Sequence, residues 1–477
     1  MKVTGDDYFD SAEFHELLDT YEQAVSTGQP VFMDTDELVE IADYYQYMGR
    51  CDEAEEAITL AQSLSPGAIA PLTYRIHEAL SHNDTEKAWE LLDQIIETND
   101  PDFIYNQAEI LIVEERIDEA DNYLREEFKN VPPEEYQDFV VDVANIYSEY
   151  GYPGKAMEWM ARAKYEDTPD FKELMGRTLF GLGKYKDSER IFNELIDTNP
   201  FSKKYWNALA SAQFMNEDYD KSVQSSEYAI AIDPEDPDGL IAKANGLYRL
   251  NNNEGALEYY KRYLKQEPDD ELAMLYEAIC LINLGQRDEA ITILNEALKV
   301  ADGDASIRCD IYQELAFAYS EKKEPEKAIE MLNQTENLDC DHIQMEVIKG
   351  HVMLAASRMD EAQCYFQGAL KKSDNAQQTM LRIIVSFYDN RYIEIAYKLF
   401  KGYFGYYDQS GLELDAESYA YMALCCHDLG HEDEFLAYMK KACEKDADES
   451  RQILGILFPE DMKPEDYYSY YKDKVQQ

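Results

Sequence analysis

Residues 425–431 read CCHDLGH, which puts Cys425, Cys426, His427, Asp428 and His431 within seven positions. Thiolates and imidazoles are the ligands that zinc and copper favour, so this stretch is the first place to look for a metal centre. On a helix, however, adjacent cysteines project about 100° apart, a poor start for shared ligation. Cys426, His427 and His431 could meet only by way of a turn. No metal or cofactor is therefore expected, and the stretch is read as the elbow between two helices. His77 and His82 lie five residues apart with no companion Cys or His nearby.

Other chemistry leaves no clearer trace. The chain has no G-x-x-x-x-G-K-[ST] phosphate loop, no G-x-G-x-x-G, no H-E-x-x-H and no G-x-S-x-G. Carboxylate pairs carry no information, because 98 of 477 residues are Asp or Glu. The chain is not expected to be an enzyme. Against those 98 acids stand 44 Lys+Arg, for a formal net charge of −54. A nucleic-acid binder needs cations to displace phosphate counterions, so DNA or RNA is excluded as the main ligand. The same field repels an anionic membrane and attracts basic partners. No apolar run approaches the roughly 18 residues that span a bilayer. The opening MKVTGDDYFDSAEF lacks the basic and apolar regions of a signal peptide. Eight cysteines without a small-domain framework read as reduced thiols, so a cytoplasmic protein is expected.

What would position any functional side chain is a repeat. Residues 179–200, 213–234 and 247–268 each end in proline, and Pro200, Pro234 and Pro268 are 34 residues apart. Within the period run two columns of small residues. The first holds Ala42, Ala108, Ala144, Gly176, Ala210, Ala244, Ala278, Ala316, Gly350 and Ala423, with Ile76 and Ile384 as exceptions. The second, twelve residues later, holds Ala54, Ala88, Ala120, Ala156, Ser188, Ser222, Ala256, Ala290, Ala328, Ala362 and Ala396, broken only by Phe435. Antiparallel helices joined by a short turn approach closely only where both crossing residues are small. Gly49, Gly151, Gly183, Gly285 and Gly430 suit the left-handed end of the first helix.

Trp206, Leu209 and Ala210, then Tyr312, Leu315, Ala316 and Tyr319, and the pairs Ala362/Phe366 and Ala396/Phe400 resemble the tetratricopeptide repeat, W-x2-L-G-x2-Y followed by A-x3-F and P. The resemblance covers about residues 35–447. It implies an all-α, right-handed superhelical solenoid of about twelve antiparallel helix pairs. Residues 1–34 are expected to form an acidic cap with one helix, about Ala12–Thr27. Repeats one to eight occupy 35–304, and repeats nine to twelve occupy 305–447 after a longer connection. Capping helices follow in 448–477. Extra residues in 300–308 and 401–415 are expected to lengthen connections, the second carrying Tyr403, Phe404, Tyr406 and Tyr407.

The resemblance also implies a protein–protein interaction scaffold whose concave face, lined by first helices, binds peptide or protein partners. Phe180, Phe214 and Tyr248 recur at 34-residue intervals, with Arg177, Lys204, Asn207, Asn245 and Arg249 around them. These eight residues are the candidate partner-binding set: amides bond a peptide backbone, rings take apolar side chains, and cations take an acidic group. Plain interhelical packing explains the three rings equally well. The expected partner is a protein or peptide with a basic or amphipathic segment; oligomeric state is left open. The Lys, Asn and Arg set with which chaperone-tail-binding members of the family grip a carboxylate fits no triplet of units here. A sensor responding to metal or oxidant through cysteine and histidine is an alternative reading, and an end-to-end self-assembler is another.

Overall fold

The twelve expected elbows share one backbone conformation. Seven residues after each first-column residue, φ is positive: 70–78° at Gly49, Gly151, Gly183, Gly285 and Gly430, and 58–64° at Asn83, Glu115, Glu217, Asn251, Lys323, Ser357 and Arg391. At each elbow the next amide donates back into the last turn of the first helix, as in Arg50 N to Tyr45 O, 2.7 Å, and His431 N to Cys426 O, 2.8 Å. This is the Schellman arrangement, which satisfies carbonyls that the helix end would leave open.

The computed structural model describes residues 6–9, 11–164, 167–301, 303–410, 413–459 and 462–475. All regular elements among them are helices, and they form twelve antiparallel pairs in a helical repeat solenoid. The chain divides into two compact units, Met1–Ile232 and Asp233–Gln477.

In the first unit, Ala12–Thr27 precedes six pairs that run from Thr35–Tyr47 with Cys51–Leu64 to Lys203–Met215 with Tyr219–Ile232. Ser11 caps Ala12–Thr27 by accepting from Phe14 N, and Gly28 closes it at φ 65°. Phe14, Leu18 and Tyr21 on this helix are buried against Leu38, Ile41, Ala42 and Tyr45 of the first pair. The second unit begins with Pro237–Arg249 paired with Asn253–Tyr263 and ends its six pairs with Ala416–Asp428 and Glu432–Lys445. Ala447–Leu454 and Pro464–Val475 follow. There Tyr467 stacks on Phe458 at 3.9 Å, and Tyr471 meets Phe435 at 4.6 Å.

Both small columns are buried at the crossings, with Ala42, Ala210, Ala316, Ala88 and Ala328 all at 0% exposure. Gly176 and Gly350 sit opposite phenylalanines. A Cβ on Gly350 would lie 2.2 Å from Phe366 Cε1, and one on Gly176 would lie 2.9 Å from Phe192 Cε2. Ser188 offsets its polarity by donating to Gly176 O at 2.8 Å.

Two expectations change. The extra residues lengthen helices more than connections: Ala305–Glu321 has 17 residues and Ile393–Ser410 has 18. Tyr403, Phe404 and Tyr407 are buried on the second of these, and Tyr406 is 59% exposed. Residues 302 and 411–412, within the expected connections, lie outside the described residues. The cysteines are not all thiols, because Cys309 and Cys340 are joined in a disulfide with Cα atoms 6.3 Å apart.

Candidate functional site

Within the first unit, the first helices pack on one another in succession from Thr35–Tyr47 to Pro169–Gly181. The residue after each first-column position therefore lines a shared surface, and in five successive pairs it is polar: Asp43, His77 (after Ile76), Glu109, Asn145 and Arg177. Neighbours along the line are bonded. His77 Nε2 lies 2.7 Å from Glu109 Oε2, and Arg177 Nη2 donates to Asn145 Oδ1 at 2.8 Å. Beside them Asn106 donates to Thr73 Oγ1 at 2.6 Å, and Tyr105 donates to Asp142 at 3.1 Å.

Burial pushes Asp43 up to about 6 against the pull of His77. Burial raises Glu149 and Asp142 as well, because a carboxylate loses hydration in a crowded groove. His77 is drawn down by burial, but the Glu109 carboxylate outweighs this and its net shift is upward.

The expected cations do not stand alone. Lys204 Nζ lies 2.6 Å from Glu173 Oε1, and Arg177 Nε lies 3.8 Å from the same oxygen. Glu173, only 15% exposed at its side chain, thus bridges two successive first helices. Acidity alone did not distinguish it in a chain so rich in carboxylates; the signal was its column, three residues before the first-column position, where it is the one acid among the twelve repeats. Asn207 is half-buried on Lys203–Met215. Phe180 and Phe214, both half-buried, meet the rings of Tyr185 and Tyr219 edge-on at 5.5 and 5.3 Å. Each pair links the end of a first helix to the start of its own second helix.

In the second unit, Asn245 accepts from Tyr260 OH at 2.7 Å. Tyr248 lies 5.1 Å from the ring of Tyr276, which also stacks on Tyr260 at 6.1 Å. Arg249 is exposed at the end of Pro237–Arg249. Thus five candidates lie in the first unit and three in the second. Further along the second unit, burial raises Glu314 to about 7, and Phe317 meets His351 edge-on at 5.9 Å.

Within CCHDLGH, His427 Nδ1 lies 3.1 Å from Asp428 Oδ1, and the remaining side-chain contacts go to neighbours outside the stretch. Cys425 and Cys426 are buried, and burial pushes both thiols up to about 12. Cys426 Sγ donates to Glu434 at 3.6 Å, and the His427 ring packs against Phe435 and Tyr471. His431 lies edge-on to Tyr397 at 5.0 Å, and Asp428 accepts from Tyr388 OH at 3.0 Å. Among the described residues, no three His, Cys, Asp or Glu side chains converge as metal ligands would.

Models of the tetratricopeptide repeat match residues 174–237 and 247–308. A curated relative, Protein STIP1 homolog of Dictyostelium discoideum, is 27% identical over 128 residues, covering 27% of this chain. The matched stretch spans 22% of that relative's length. Among solved structures, YrrB, described as a TPR protein with an unusual peptide-binding site, aligns at 21% identity and TM-score 0.33, covering 37% of this chain and 87% of its own. PilW, a type IV pilus biogenesis factor, aligns at 16% identity and TM-score 0.38, covering 45% of this chain and 100% of its own. Residues 174–237 and 247–308 are thus matched as tetratricopeptide repeats, and they lie in register with the other helix pairs.

Proposed function

We propose that this chain is a non-catalytic scaffold that binds protein or peptide partners on the surface presented by its first helices. The observation that carries the reading is that surface itself: first helices laid side by side, with half-buried rings at Phe180 and Phe214 and bonded polar groups between them. Such an arrangement offers ring faces to apolar side chains and amides to a peptide backbone.

The partner carries a basic or amphipathic segment. Arg177 and Lys204 share the single carboxylate of Glu173, which offsets part of their pull on an acidic ligand. The chain as a whole, at −54, draws cations. Cys51 and Cys364 are exposed, unbonded thiols alongside a single disulfide, Cys309–Cys340, and on this reading the chain works in the cytoplasm with that bond subject to reduction.

Fluorescence anisotropy tests this with a cationic amphipathic peptide and its charge-reversed counterpart. The cationic peptide is expected to bind and to weaken as salt rises. The double substitution Phe180→Ala/Phe214→Ala, with helix content checked by circular dichroism, is expected to weaken binding about tenfold or more. Undiminished affinity in the folded double variant rejects this surface.

A further inference from the structure

We infer that Cys309 and Cys340 form a reversible thiol–disulfide exchange site that clasps one repeat, residues 305–341, from its start to its end.

The positions within the repeat carry the inference. Cys309 lies seven residues before Ala316, the position at which Pro169, Lys203, Pro237 and Glu271 begin their own first helices. Cys340 lies 24 residues after Ala316, where Pro200, Pro234 and Pro268 stand relative to Gly176, Ala210 and Ala244. The bond therefore joins the two ends of one repeat, and its Cα separation of 6.3 Å falls in the normal range for a disulfide.

The same two ends are clasped elsewhere by weaker means. Gln137, seven residues before Ala144, donates to Lys164 O at 2.7 Å and accepts from Lys164 N at 3.0 Å. Closing a repeat from its start to the connection after it thus has a hydrogen-bonded counterpart in the fold, and here it is done with redox-active atoms.

The two sulfurs differ in access. Cys309 is 5% exposed, whereas Cys340 is half-buried on the connection between helices. An incoming thiol or disulfide therefore meets Cys340 first. In the forward direction the Cys340 thiolate attacks glutathione disulfide, forming a mixed disulfide and releasing one glutathione thiolate. The Cys309 thiolate then attacks the Cys340 sulfur, forming the intramolecular bond and releasing the second glutathione. Two cysteine thiols are oxidised, one glutathione disulfide is reduced, and the two cysteine protons pass to the released thiolates.

Closure fixes where the next helix begins. Asp341, adjoining Cys340, caps His342–Ala355 by accepting from Gln344 N at 2.9 Å, and it pairs with Arg382 at 2.8 Å. Oxidation ties this cap to the first helix of its own repeat and steadies residues 334–341.

The native full-length chain is equilibrated with reduced and then oxidised glutathione, acid-quenched, alkylated and peptide-mapped by mass spectrometry, with amide exchange measured in each state. The expected result is a peptide pair cross-linked through Cys309 and Cys340 in the oxidised buffer, lost again in reduced glutathione without denaturant. Amide exchange over 334–341 is expected to be about tenfold slower when oxidised. Cys340→Ser is expected to remove this difference while keeping the helix content. Failure to form the cross-link, a cross-link that resists reduction in the folded chain, or equal exchange in both wild-type states overturns the proposal. The wild-type measurements decide the matter even if the variant does not fold.

Discussion

At Gly350 a single methyl group is enough to disturb a crossing. Its added Cβ would fall 2.2 Å from Phe366 Cε1, so either the ring or the backbone must move. Gly350→Ala is expected to cost about 1–3 kcal/mol in urea denaturation, and Phe366→Leu in the same chain to recover part of it. The elbows make the opposite case. Glu217 holds φ at 63°, a conformation that disfavours side chains bearing a Cβ. Glu217→Gly is expected to stabilise the fold by up to about 1 kcal/mol, and Gly430→Ala to cost a similar amount. The five glycine elbows were legible in the sequence. The other seven were not: Glu115, Glu217, Lys323, Ser357 and Arg391 are of types that ordinarily avoid this conformation and are held in it by the bonds around them, and Asn83 and Asn251, of a type that tolerates it, stand among many other asparagines. Among the candidate binding residues, ring positions were legible by their 34-residue spacing, but Glu173, which engages both Arg177 and Lys204, is hidden among so many acids until its column is read down the repeats.

Helix lengths absorb the irregular spacing of the repeats. The step from one pair to the next showed where residues were added, but an insertion in a helix and one in a loop lengthen that step equally. The distinction lay in the side chains: Tyr403, Phe404 and Tyr407 continue the buried stripe of Ile393–Ser410. At the carboxyl end, Pro464–Val475 covers the last pair through Tyr467, 1% exposed and stacked on Phe458 at 3.9 Å, and through Tyr471 against Phe435. Tyr467→Ala is expected to cost about 3–5 kcal/mol locally. The measurable sign is faster amide exchange in Glu432–Lys445, the helix this element covers, with distant helices unaffected.

Over the whole molecule, acidity makes stability depend on pH in an unusual sense. Burial raises Glu314 from 4.5 to about 7 and Asp43 from 3.8 to about 6, so the folded chain binds these protons more tightly than the unfolded one. Their contribution is complete below the unfolded values and is lost as pH rises through the folded ones. Carboxylates held low by cations, such as Glu55 beside Arg75, lose theirs only at more acid pH. His351, depressed by burial, opposes the trend. Between about pH 5 and 8 the melting midpoint is expected to fall with rising pH, and Glu314→Gln to flatten that slope. An unchanged slope in the variant assigns the effect to other groups. The geometry of the pairs bears on how such a chain can change over generations. The two crossing positions are twelve apart in every pair, whereas successive pairs are 32 to 39 residues apart. A codon gained or lost beyond the second crossing position carries the next pair along intact. One gained or lost between the two crossing positions turns a buried face toward water. The gene's tolerated breakpoints therefore lie between the second crossing position of one pair and the first of the next, a stretch that includes the start of a first helix, as the 17-residue Ala305–Glu321 shows.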